Sequence, residues 1–361
     1  MELHVATRKG LFTVRPDAKD PVSTPSFLGD PVTSVLHDRR DGTLYAALNL
    51  GHFGRKLHRS EDGGATWTEL ASPAFDKKEG DKKEGEEDGP SVSLIWTLEP
   101  GSDDQPGRLW AGTIPGALFR SDDRGDSWRL VQSLWDLPER QNWFGGGYDE
   151  PGIHSILVDP RDSANVVCGI SCGGVVASSD DGESWRQTGH GFRADYFPPE
   201  RKDDPSIQDP HRMQTCLSHP DVMWCQHHTA VFRSIDRGDN WTELTEARPS
   251  AFGFAVAAHP TDPDTAWFVP GIKDERRVPV DGKFVVSRTR DGGRSFEVLD
   301  AGLPTEPSFD LVYRHALDID PSGNCLAMGS TTGNLWFSDT SGDAWRLISN
   351  FLPPVYQVRF A

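Results

Sequence analysis

Ser121-Asp122-Asp123-Arg124-Gly125-Asp126-Ser127-Trp128 is one of six copies of a pattern, Ser/Thr-x-Asp-x-Gly-x-x-aromatic, whose spacing decides the fold. The copies begin at Ser60, Ser121, Ser178, Ser234, Thr289 and Ser338, so successive ones lie 61, 57, 56, 55 and 49 residues apart. Such a period suits a four-stranded propeller blade with variable loops. In each copy the Asp side chain can accept hydrogen bonds from turn amides, and Gly permits the positive φ that closes the turn. The aromatic ring then packs into the blade. These roles fall to Asp123, Gly125 and Trp128, and equally to Asp62, Gly64 and Trp67, to Asp180, Gly182 and Trp185, and to Asp236, Gly238 and Trp241. Asp291, Gly293 and Phe296 form a softened copy. Thr340 replaces the Asp between Ser338 and Gly342, so that turn is expected to be the least well braced.

The flanks repeat as well. A first strand often ends in an acidic residue or His followed by Pro, as at Glu99-Pro100, Asp159-Pro160, His219-Pro220, His259-Pro260 and Asp320-Pro321. Apolar and polar residues alternate as strands require, and no segment carries helical periodicity. Leu3 to Ala6 and Leu11 to Val14 read as strands two and three of a further blade, with Thr24 to Leu28 as its fourth. Its missing first strand is supplied by Val355 to Phe360. The expectation is an all-β, seven-bladed propeller of four-stranded antiparallel blades, one domain over residues 1–361, closed by strands from both termini so that no sheet edge is left open.

Composition narrows the function classes. A formal charge of −18 and a pI near 5.0 argue against a nucleic-acid partner, which demands a basic face. No apolar run approaches the roughly 18 residues needed to cross a bilayer, so no membrane partner is expected. The first residues, Met1-Glu2-Leu3-His4-Val5, lack a basic stretch followed by an apolar core, which points to the cytoplasm. Five cysteines without paired zinc spacing are expected to be free and buried.

If first strands run from the top of the channel downward, the Asp turns and Pro turns lie underneath. The long insertions Ala71 to Ser91, Ser133 to Gly152, Gly189 to Arg212 and Pro270 to Lys283 then share the top. Asp76 to Asp88, rich in Lys, Glu, Asp and Gly, is expected to be disordered; the other three insertions should order into a lid. Polar residues mapping to this face are His52, Arg55, Tyr148, Gln214, Gln226, His227, Lys273, Arg276, Tyr313 and Arg314 as ligand-binding candidates. Their chemistry supports three readings. A divalent transition metal could be bound by His154, His211 and His228, since imidazole suits zinc, copper, nickel or iron. An acid/base site could use Glu150, Asp195 or Glu275 with His315. An anion pocket needs only the Arg and Lys groups, and a polar, anionic small molecule in the channel mouth is the favoured ligand.

The repeated turn resembles the Asp box of the bacterial neuraminidase repeat, found in sialidases and in many propellers without that activity. A sialidase uses three arginines for the substrate carboxylate, a Tyr nucleophile with Glu, and an Asp acid/base on six blades. This chain lacks the Arg-Ile-Pro motif and counts seven blades, so true sialidase activity is not expected. Trp143 to Tyr148, Pro151 to Ser155, Asp209-Pro210-His211, Gln226 to His228, Lys273 to Arg277 and Tyr313 to Leu317 resemble cytosolic bacterial proteins labelled sialidase-like or exo-sialidase. That resemblance implies fold and location, with a hydrolase or lyase as one function class. The other is a non-catalytic binding or assembly scaffold with a protein partner, similar to the neuraminidase-repeat factors of photosystem biogenesis.

Overall fold

The computed structural model describes residues 1–76 and 89–361, arranged as seven antiparallel sheets around a central channel. The Asp76 to Asp88 stretch expected to be disordered lies, apart from Asp76, outside the described residues. The innermost strands are Val32–Asp38, Leu94–Pro100, Gly152–Val158, Pro210–Cys216, Gly253–Ala258, Leu317–Ile319 and Val355–Phe360, in blades one to seven. Each packs beside the next, and the last returns to the first, which closes the ring. In blade seven Val355–Phe360 pairs with Leu3–Thr7, which pairs with Gly10–Val14. Its fourth position departs from the other six. Residues 22–26 pair with Gly10–Val14 only through bridges at Leu11–Ser26 and Val14–Val22, because Pro21 and Pro25 cannot donate to a ladder. Helix is confined to single turns such as Gln132–Trp135, and no helix among the described residues is long and apolar enough to cross a membrane. All five cysteines are buried and unpaired.

The Asp turns are built as their residue types require. Ser121 Oγ accepts from Gly125 N at 2.8 Å and donates to Asp123 Oδ1, which accepts from Ser127 N at 2.9 Å. Gly125 sits at φ 87°, and the residue before it, Arg124, is also left-handed at φ 63°. That second left-handed residue recurs at Asp181, Arg237 and Ser341, with Gly63 and Gly292 in the other copies. In the last turn Thr340 Oγ1 still accepts from Ala344 N at 2.9 Å, but supplies one oxygen where Asp supplies two.

These turns also join blades. A Cβ on Gly182 would meet Trp110 of the preceding blade at 3.4 Å, and Trp185 shares an apolar cluster with Trp110, Ile153 and Ile170. Gly342 sits likewise on Trp267, and Gly293 on Leu244. Burying a large side chain at such a seam contributes about 2–3 kcal/mol. The core is therefore a ring of inter-blade layers, and it holds the channel-facing residues at fixed heights.

Candidate functional site

Near the top of six inner strands one extra residue interrupts the ladder. The register slips between Val32 and Ser34, Ile95 and Thr97, Ile153 and Ser155, Pro210 and Arg212, Gly253 and Val256, and at Tyr356. A bulge of this kind re-aims a side chain. Those carried by Trp96, His154, His211 and Phe254 meet their neighbours around the channel. Trp96 lies edge-on to His154 at 5.5 Å, and His211 stacks on Phe254 at 4.3 Å.

Two groups stand in this mouth. The Arg314 guanidinium lies 4.8 Å from the Trp96 ring centroid and 5.4 Å from that of Phe254, on opposite sides of the ring of blades. Its Nε has no hydrogen-bond partner, and the guanidinium has no ion pair among the described residues. Burial presses its pKa below the ordinary arginine value, opposed by the charge of Asp209. Most other sheltered arginines are committed: Arg108 to Asp122 and Asp181, Arg288 to Glu297 and Asp343, Arg359 to Glu99, and Arg212 to the His154 carbonyl, while Arg140, stacked on Trp135, shares with Arg314 the lack of a counter-ion among the described residues.

The second group is Asp209, His211 and His228. Asp209 Oδ2 is 3.4 Å from both His211 Nε2 and His228 Nδ1, which are 3.3 Å from each other. Asp209 Oδ1 accepts from Ser171 Oγ at 3.0 Å and Cys172 N at 3.1 Å. Burial alone would raise the Asp209 carboxyl, yet His211, His228 and Arg314 hold it well below the usual carboxylate range. His211 Nδ1 donates to Gly253 O at 2.7 Å, and burial lowers the pKa of its ring. Above them the insertions form a cover. Asn142 Nδ2 donates to Ser206 Oγ at 3.0 Å, Phe144 packs on Phe197, and Tyr196 stands edge-on to His228 at 5.0 Å. Gly146 also borders the cluster, since a Cβ there would lie 4.0 Å from Asp209 Oδ2.

Below this mouth the channel is filled. His315 Nε2 donates to His154 O at 2.7 Å across the ring, and Arg212 Nη1 donates to the same carbonyl at 2.9 Å. All three side chains are buried, and burial pushes Arg212 down to about 10. A cavity of about 400 Å³ opens under this layer, lined by Asp38, Arg40, Glu99, Gln214, Asp318 and Arg359 among others. Two of its arginines are committed, Arg40 to Asp38 and backbone carbonyls and Arg359 to Glu99. The mouth, with its uncommitted guanidinium, is the better candidate.

The structure departs from several sequence expectations. Gln214 faces the lower cavity, because two residues beyond the bulge the strand has descended past the filled layer. His315 is spent on a backbone carbonyl, and His154 sits fully buried with Nδ1 on Ser155 Oγ at 2.9 Å, apart from the other two histidines proposed as metal ligands. His227 is structural: its Nε2 accepts from Asp209 N at 3.2 Å and its ring stacks on Phe192. Gln226 bonds to Ala251 O and fixes blade four to blade five. Glu150 is exposed, Asp195 pairs with Arg193 at 2.8 Å, and Glu275, 73% exposed, pairs with Lys273 at 3.2 Å. None of these acids joins the cluster, because each rides an exposed loop tip. Arg276 is exposed too, His52 lies edge-on to Phe53, and Arg55 donates to Ser93 O. Tyr148 lies edge-on to Trp96 at 5.2 Å, and Tyr313 lies 4.8 Å from Phe254 with its hydroxyl 3.4 Å from Arg277. Sequence reasoning gave no role to Asp209, Trp96 or Phe254. The signal available was Asp209-Pro210-His211, an acid placed directly before a strand that opens with a bulge.

No family model matches the chain. In an alignment 359 positions long that covers 91% of this chain, it is 22% identical to a probable oligoxyloglucan-reducing end-specific xyloglucanase of Neosartorya fischeri, of which it covers 40%. Among solved structures it is similar to the GH74 xyloglucanase of Xanthomonas campestris, with a TM-score of 0.69 and 18% identity over 96% of this chain and 52% of that one. It is also similar to YCF48 bound to D1 peptide, with a TM-score of 0.56 and 16% identity over 93% and 90% of the two chains. The chain thus spans about half or less of the xyloglucanases it matches, and what it shares with them is the propeller fold.

Proposed function

We propose that this protein binds an anionic small molecule, a carboxylate or a phosphate, in the mouth of its channel with Arg314 as the anchor. The observation that carries the reading is the contrast among the arginines. In a chain of net charge −18, Arg314 is half-buried beside aromatic rings without a counter-ion among the described residues. An arginine held away from water gains most from an anion that offers two oxygens to its planar fork. The recurrent Ser/Thr-Asp-Gly turn supports grouping the chain with Asp-box, sialidase-like propellers, and the GH74 likeness is compatible with a carbohydrate acid as ligand. Turnover as a hydrolase or lyase would draw on the Asp209 carboxylate and the partly exposed His228 ring, which share the mouth with Arg314. Calorimetric titration with glucuronate, citrate and inorganic phosphate tests the reading. At least one should bind saturably, and Arg314→Met should weaken it by about 10- to 100-fold without lowering the melting temperature. Binding equal in both proteins, or none in either, defeats the reading.

A further inference from the structure

Three donor atoms at the site form a nearly equilateral triangle, and its dimensions are those of a coordination sphere. Asp209 Oδ2, His211 Nε2 and His228 Nδ1 are separated by 3.4, 3.4 and 3.3 Å. Ligands about 2.0–2.1 Å from a tetrahedral ion lie roughly 3.3 Å apart. An ion slightly above the plane of the triangle would therefore meet all three at normal bond lengths, with no side chain moved.

The hydrogen-bond inventory points the same way. A carbonyl only accepts, so Nδ1 of His211 carries a hydrogen for Gly253 O, and in the neutral ring its Nε2 presents a lone pair. That lone pair faces Asp209 Oδ2, itself an acceptor. His228 Nδ1 brings at most one hydrogen, which can serve only one of them. The remaining acceptor pair is satisfied by a cation between the two atoms, whether a proton on His211 or a metal ion. The outer partners are those that metal ligands use: a backbone carbonyl fixes the His211 tautomer, while Ser171 Oγ and Cys172 N hold Oδ1 of Asp209 and so aim Oδ2.

We infer that Asp209, His211 and His228 form a two-histidine, one-carboxylate site for a divalent transition metal, open on the side facing the lid. The donor set excludes calcium and magnesium, which take oxygen ligands, and suits zinc or ferrous iron. One carboxylate and two neutral imidazoles leave a net positive charge on the ion, and Arg314 stands in the same mouth. Metal and guanidinium would then address one anion together. The metal site itself stands independently of the anion reading, since its ligands and their supports do not include Arg314.

The test uses the full chain. Metal content after purification is measured by plasma mass spectrometry, and the chelator-stripped protein is titrated with Co(II), followed by its visible spectrum, and then with competing Zn(II). One equivalent per chain is expected, with a Co(II) spectrum of tetrahedral or five-coordinate type. His228→Ala should weaken Co(II) binding by about 100-fold or more. Because His228 is the partly exposed ligand, that variant should keep the circular dichroism and melting curve of the chelator-stripped wild type. Asp209→Asn, which preserves shape, should weaken binding comparably. Arg314→Met should retain full Co(II) binding while losing the anion, so the two readings fail separately. Co(II) affinity unchanged in both His228→Ala and Asp209→Asn, or less than a tenth of an equivalent bound by the wild type, overturns the site.

Discussion

The Gln357 side chain accepts a hydrogen bond from the Val35 amide at 2.9 Å, joining residues 322 positions apart across the seam where the ring closes. Both partners are buried, so water cannot replace the bond when one is removed. Gln357→Leu should lower stability by about 1–3 kcal/mol in urea unfolding. Deleting residues 355–361 should abolish cooperative folding altogether, because blade seven would lose its inner strand. A truncated chain that still melts in one sharp transition would show that closure is dispensable.

Acid should destabilise the fold before any surface carboxylate titrates. Burial lowers His4 to about 4 and His227 to about 3, and His227 Nε2 must stay unprotonated to accept from Asp209 N. Both rings are neutral in the folded chain but take up protons near 6.5 once unfolded, so unfolding binds protons as pH falls. Stability is therefore complete above about pH 6.5 and declines toward pH 4, by about 3 kcal/mol for His4 when fully expressed. Melting temperatures measured across that interval should drop steadily, and His4→Gln should flatten part of the slope. A curve level from pH 7 to 4.5 would contradict this.

Thr340→Asp should stabilise the protein. The turn already places the Ala344 amide 2.9 Å from the side-chain oxygen, and Ser338 Oγ lies 3.2 Å away. A carboxylate would accept both bonds with charge, as Asp236 does from Asn240 N and Ser234 Oγ. The gain should be about 0.5–1 kcal/mol in denaturant titration.

Gly146→Val should weaken anion and Co(II) binding about tenfold while shifting the melting temperature by little. A Cβ there would come within 2.5 Å of Cys172 Sγ and reach toward Asp209 Oδ2, yet Gly146 itself is exposed and outside every sheet. Equal loss of stability and binding would make the glycine a folding residue instead.

Much of the architecture was readable because its causes are local. The Asp turns recur at blade spacing, and the terminal strands carry their own alternation, so seven blades and their closure follow from Ser60, Ser121 and the Val355 to Phe360 strand without any long-range information. The fourth strand of blade seven was misjudged through Pro21 and Pro25, whose missing donors reduce it to bridges. The site was less readable for a geometric reason. A bulge adds one residue to a strand, so which of Trp96, His154 or Gln214 faces the mouth depends on a register that alternation alone does not reveal. His211 and His228 come together beside Asp209, whereas His154, His227 and His315 resemble them in sequence and are consumed by Ser155, Asp209 and a carbonyl. Loop acids such as Glu275 drew notice for their charge, but exposed tips seldom deliver a carboxylate into an axial recess.

The hydrogen bonds that His315 and Arg212 make to the His154 carbonyl turn the axle of the wheel into a floor. An anion held beside Arg314, as proposed, would find the hub closed by that layer and would leave past Phe144, Tyr148 and Tyr196. Residence time would then be set by how often those rings part, making the cover and the anchor two halves of a single doorway.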